Sequence, residues 1–178
     1  MKKICLLILL SLLFLLASGV AGAAGIKAGH VDLQRLVEQS DAGKEARQKY
    51  LAKAQTYQDE INSRTERLTK LKADIEKETR VLGQADTPSQ SLIDKDKEYG
   101  VQARELQRLL GGYQDELKVY DTELTRKVLE EFGPVVGEYA GREGYDYIFR
   151  GYDAMVFASK NGDLTDALIK EFNEKRKK

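Results

Sequence analysis

Tryptophan is absent from the 178 residues, proline occurs twice, and histidine and cysteine once each. With His30 as the only imidazole and Cys5 as the only thiol, the chain lacks the ligand set of a zinc centre and the partners of a thiol nucleophile. Cys5 lies in an N-terminal stretch expected to be removed, so neither thiol chemistry nor a disulfide is available to the mature chain. No G-x-S-x-G, P-loop, H-E-x-x-H or glycine-rich dinucleotide turn is present, and many carboxylates on a solvated helix lack the buried pocket that acid catalysis needs. The expectation is a protein without enzymatic activity, cofactor or metal.

Charge of one sign is also lacking. Lysine and arginine number 29, aspartate and glutamate 29, so no global field favours nucleic acid. The one long apolar run, Ile4 to Ala17, follows Met1-Lys2-Lys3 and precedes small residues up to Ala24. At about 14 residues it is shorter than the roughly 20 that cross a bilayer as a helix, and it reads as a signal peptide over 1–24, cleaved near Ala23 or Ala24. An uncleaved N-terminal anchor is the alternative.

What is abundant is charge of both signs at 33% and apolar residues in strict sevens. Ala54, Ile61, Leu68, Ile75 and Leu82 form one register, and Tyr50, Tyr57, Arg64, Leu71 and Glu78 a second, alternating as the a and d positions of a coiled coil. Residues 83–90 hold Gly83, Pro88 and the candidate caps Thr87 and Ser89, which predict a helix-to-helix turn. The pattern then resumes with Leu92, Tyr99, Leu106, Tyr113 and Tyr120 against Ala103, Leu110, Leu117 and Leu124. Two narrow stripes joined by a short turn bury each other best as an antiparallel hairpin, with arms roughly 60–80 Å long. Beyond Leu124 the spacing relaxes to Val128, Phe132, Val135 and Tyr139, Gly133-Pro134 predicts a kink, and Gly100, Gly111 and Gly112 weaken the helix, so a bendable arm is expected.

The ends of the chain read differently. Residues 25–32 suggest a short strand, with Asp32 capping a helix through Leu33, Leu36 and Val37, and Ser40-Asp41 capping the next. After a glycine stop at Gly144, residues 145–150 and 154–159 suggest a β-hairpin around 151–153. Asn161-Gly162 marks a turn, Asp163 or Thr165 a cap, and Leu164, Leu168, Ile169 and Phe172 a last amphipathic helix with a basic end, Lys175 to Lys178. The domain expectation is a β-containing oligomerisation body from 25–40 and 144–178, and a helical-hairpin arm over 41–143. So small a body is near the lower limit for an independent core, and pairing of its sheet edges between subunits would supply what is missing.

Single features are read plainly. His30 is expected to be structural, at a strand end. Asp94, Asp96, Glu98 and Glu105 fit positions 1, 3, 5 and 12 of a calcium loop, but Tyr99 stands where its glycine must be and the heptad runs through, so a solvated helical face is expected. Val101 and Val119, 18 residues apart, point the same way and roughly opposite the seam.

The order of Val31-Asp32-Leu33-Gln34-Arg35, Ser40-Asp41-Ala42-Gly43-Lys44, a long heptad hairpin, Glu143-Gly144-Tyr145-Asp146 and Asp163-Leu164-Thr165 resembles the Skp/OmpH family. The resemblance spans essentially the whole mature chain. It implies an α+β, mostly helical fold: a coiled-coil arm projecting from a small sheet that closes an intersubunit β-barrel in a homotrimer. It also implies an ATP-independent holding chaperone of the periplasm for unfolded outer-membrane proteins. Independently of the resemblance, the exposed apolar pair Val101 and Val119 opposite the seam is the candidate client contact. The near-neutral charge departs from the family's basic members and places electrostatic capture in doubt. A structural coiled-coil linker of the cell envelope is the competing class, and weak contact of the basic C-terminal end with an anionic membrane surface is a third.

Overall fold

The computed structural model describes residues 25–83, 87–151 and 157–177. Strand β1 (Ala28–Val31) leads into helix α1 (Leu33–Gln39), and two long helices follow, α2 (Asp41–Leu82) and α3 (Gln90–Glu143). Strand β2 (Tyr147–Arg150), a 3-10 turn (Lys160–Gly162) and helix α4 (Thr165–Arg176) complete the order. The signal-peptide reading of 1–24 lies outside the described residues.

Local chemistry sets the helix ends. Asp32 accepts from the Arg35 N–H at 3.0 Å, Ser40 from Gly43 at 3.1 Å and Ser89 from Leu92 at 3.1 Å, each satisfying an orphan donor of a first turn. Gly144 ends α3 in the left-handed conformation at φ 70°, where a side chain would be strained. The expected kink at Gly133-Pro134 does not interrupt α3, which is helical on both sides of Pro134. Pro134 lacks the N–H that would have donated to the Glu130 carbonyl.

The sheet differs from the expected hairpin. Strand β2 pairs with β1 in parallel, Ala28 opposite Tyr147 and Val31 opposite Arg150. A parallel pair needs a long crossover, and the α1 to α3 excursion provides it. Of the expected second hairpin strand, 154–156 lie outside the described residues and 157–159 are not strand. On its other side β1 makes a parallel bridge from His30 to Asp163, and the His30 carbonyl accepts from the Leu164 N–H at 2.9 Å. The chain's two ends are thus joined through β1.

Side chains reinforce that junction. Thr165 Oγ1 accepts from the Asp32 N–H at 2.9 Å, Arg35 bonds Asp163 at 3.1 Å and Asp166 at 2.6 Å, and the Asp41 N–H donates to Asn173 at 2.8 Å. Lys27 Nζ donates to the terminal Glu143 carbonyl of α3 at 2.6 Å and lies 4.1 Å from the Tyr145 ring centre.

The core joins β1 and the four helices. Val31, Leu36, Ala42, Val128, Phe132, Val135, Leu164, Leu168, Ile169 and Phe172 form one buried cluster. Phe132 and Phe172 meet edge to face, with ring centres 5.6 Å apart. The core therefore reaches past the segments expected to form the body, into the first turn of α2 and the last third of α3.

Candidate functional site

The surface with room for a partner is the arm, where α2 and α3 pack along one another. Ala54, Ile61, Leu68, Ile75 and Leu82 on α2 are half-buried, as are Leu92, Tyr99, Leu106, Tyr113, Leu117 and Tyr120 on α3. Leu124 is buried, at the junction with the core. Leu110, expected on the seam, is instead 38% exposed, while Leu109 is half-buried. From Leu106 to Tyr113 the seam takes a three-residue step and then a four-residue one, and residues adjacent on a helix differ by about 100° in direction.

Between the arm helices two tyrosines make a reciprocal clasp. Tyr57 of α2 donates its hydroxyl to Glu116 of α3, Tyr113 of α3 donates to Glu60 of α2, and the rings stack 4.0 Å apart at 5°. The Tyr113 hydroxyl, with the Arg64 guanidinium second, holds the Glu60 carboxyl below its ordinary range, and the carboxylate acceptors push both phenols up. The Lys53 ammonium lies 4.6 Å from the Tyr120 ring centre and 5.5 Å from that of Tyr57. Near the turn, Glu78 accepts from Lys95 and Ser89, both at 2.7 Å, which lowers its carboxyl as well. Sequence patterning placed Glu78 and Arg64 on the seam but gave no sign of their partners.

Val101 and Val119 are 58% and 59% exposed. Eighteen helical residues separate them by about 27 Å. Val101 lines a shallow groove with Arg64, Arg67 and Leu68, and Val119 another with Lys53 and Tyr120. Pattern reading missed Leu51 and Val81, also largely exposed, because flanking positions of a coiled coil carry no periodic signal. On the body, Ile26, Tyr147, Phe149 and Phe157 expose apolar surface, and the Tyr147 and Phe149 rings stack 6.1 Å apart.

The remaining candidates are structural. His30 is buried within the β1 junction. Asp94, Asp96, Glu98 and Glu105 lie on the unbroken α3, with Asp94 bonded to Gln90, Glu98 to Gln102 and Glu105 to Arg108. Among the described residues no group of three or more His, Cys, Asp or Glu is placed to hold a metal ion. Two residues of the basic C-terminal end are engaged: Lys175 pairs with Glu138, and Arg176 with Glu45 at 2.9 Å and Glu131 at 3.2 Å. Beside them Arg142 holds Glu171 through two hydrogen bonds, at 2.8 and 2.5 Å. Among the described residues no helix is long and apolar enough to cross a membrane.

Comparison with known proteins bears on the whole arrangement. The solved structure of an OmpH-like protein from Caulobacter crescentus CB15 is similar with a TM-score of 0.73, over 89% of this chain and 90% of that one. At 16% sequence identity this likeness is one of fold. Comparison with curated protein sequences returned no match. The family model for outer membrane protein (OmpH-like) matches residues 27–172, from just before β1, through both arm helices, to Phe172 of α4. The chain belongs to the OmpH-like outer membrane protein family.

Proposed function

We propose that the chain is an ATP-independent holding chaperone, which binds unfolded outer-membrane proteins in the periplasm after loss of residues 1–24 and keeps them from aggregating. The observation that carries this reading is the arm: a long two-helix hairpin with no enclosed core between its helices and with Leu51, Val81, Val101 and Val119 exposed. Dispersed apolar side chains of this kind give many weak contacts, which suits a client without fixed shape, and several arms acting together supply avidity. Close pairing of arm charges, as in Lys49–Glu45, Lys70–Glu66 and Arg126–Glu130, favours apolar over electrostatic capture.

The working form is a homotrimer whose strands close a barrel across subunits. Two features support it: among the described residues β2 pairs only with β1, and its Tyr147 and Phe149 expose apolar surface. The test dilutes a urea-denatured outer-membrane β-barrel protein into buffer containing the protein without residues 1–24 and without nucleotide. Suppressed light scattering and a complex of three subunits with one client are expected. Undiminished aggregation beside a well-folded oligomer would transfer the assignment to a structural envelope linker.

A further inference from the structure

We infer that the arm carries two client subsites of opposite charge on one side of the hairpin, spaced to seat a single extended segment of alternating polarity. The inference rests on the holding reading above and names the kind of segment held. The first groove is walled by Arg64, Arg67 and Leu68 of α2 and by Val101, Gln102 and Glu105 of α3. The second is walled by Lys53 of α2 and by Asp115, Glu116, Val119, Tyr120 and Glu123 of α3. Val101, Gln102 and Glu105 each come 18 residues before Val119, Tyr120 and Glu123, which is about five turns, so the two grooves occupy equivalent places on α3. Lys53 and Arg64 are 11 residues apart, about three turns, so α2 walls both grooves from the same side.

Each groove centres on an exposed valine, but the rims differ. In the first, Arg108 holds Glu105 through two hydrogen bonds, at 3.0 and 2.8 Å, and Glu60 holds Arg64 at 2.7 Å. The exposed Arg67 guanidinium is left without a hydrogen bond or ion pair among the described residues. In the second, Lys53 lies against the Tyr57 and Tyr120 rings and 3.9 Å from Glu116, which also accepts from Tyr57. There the exposed Asp115 and Glu123 carboxylates are the groups left without a partner among the described residues. The first rim is therefore positive and the second negative, so an apolar residue with an acidic neighbour suits one and an apolar residue with a basic neighbour suits the other. The valines are about 27 Å apart along α3, and an extended chain rises about 3.3 Å per residue, so about eight residues join them. That spacing is even, so both entering side chains leave the same face of an extended segment while the alternate residues turn to water. Apolar contact holds the segment, linkage of two weak sites adds avidity, and the unpaired charges select which segment seats and which way round.

Peptide binding to the whole mature protein, followed by fluorescence anisotropy at low salt, tests the inference. Three labelled peptides carry two leucines about eight residues apart in a serine and threonine background. They differ only in the residues beside the leucines: one flank acidic and the other basic, both acidic, or both basic. The mixed peptide should bind about threefold to tenfold more tightly than either uniform one, the effect of one or two exposed ion pairs. Asp115→Lys/Glu123→Lys makes both rims positive and should transfer the preference to the doubly acidic peptide, and Arg67→Glu should transfer it to the doubly basic one. Equal affinities for all three, no binding of any, or a preference unchanged in the folded variants would overturn the inference. The scattering assay on the same preparation tests the holding reading separately. Suppressed aggregation without a peptide preference refutes the subsites alone, and a peptide preference without suppression refutes the holding reading alone.

Discussion

Replacing Gly43 by alanine sets helix propensity against packing, and the two predict opposite signs. Propensity alone favours alanine inside α2 by about 1 kcal/mol. The built Cβ, however, lies 1.6 Å from the Val37 carbonyl oxygen and 2.6 Å from its carbonyl carbon. A backbone oxygen cannot swing aside as a side chain does, so the α1–α2 junction must open by about 2 Å to regain ordinary contact. That opening would also disturb the Ser40 cap on the Gly43 N–H and the fully buried Leu36 beside it. Overpacking costs about 1–3 kcal/mol and a lost cap about 1 kcal/mol, which together outweigh the propensity gain and leave a net loss of about 1–3 kcal/mol. For a chain of this size that is a fall in Tm of roughly 2–12 °C. Gly111→Ala, in open space on the same kind of helix, should raise stability by about 0.5–1 kcal/mol. Thermal melts followed by circular dichroism at one protein concentration compare the two. A Gly43→Ala protein melting at or above the parent would refute the packing argument.

Other perturbations separate body from arm. Phe172→Ala removes a ring that is 1% exposed and packed on Phe132, and should cost about 3–5 kcal/mol in urea unfolding. The Arg142 guanidinium holds the Glu171 carboxyl below its ordinary value of 4.5, so the stability this carboxylate contributes is present above that pH and lost as pH falls through the lower folded value. Glu171→Gln should accordingly flatten the acid limb of the stability profile below about pH 4.5, measured by melts across pH. Val101→Ser/Val119→Ser should change stability by less than about 0.5 kcal/mol, since both side chains are exposed, while weakening client retention in the scattering assay. Equal retention would remove these two residues from the contact surface.

The arm was legible because a coiled-coil seam is written in local spacing. Ala54 to Leu82 and Leu92 to Tyr120 follow a period that needs no knowledge of distant residues, and Gly83, Ser89 and Gly144 mark helix ends by chemistry confined to one turn. Leu110 escaped this logic because Leu109 and Leu110 are equally apolar, and only the rotation of α3 against α2 selects between them. The parallel sheet was not legible for a different reason. An apolar run at 147–150 looks the same whether its partner is the next strand or one 119 residues earlier, and Asp146 accepting from the Lys27 N–H has no sequence signature. The basic C-terminal end likewise carries no sequence sign of the partners, Glu45, Glu131 and Glu138, that the fold brings to Lys175 and Arg176.

Those long-range contacts explain why the arm's inner seam matters to the body. Joining β1 to β2 directly closes a loop of more than a hundred residues, whereas a zipped α2–α3 hairpin brings Ser40 and Gly144 near each other first. If the effective loop shrinks about tenfold, the closure cost falls by about 2 kcal/mol. The arm then acts as a scaffold on which the body assembles.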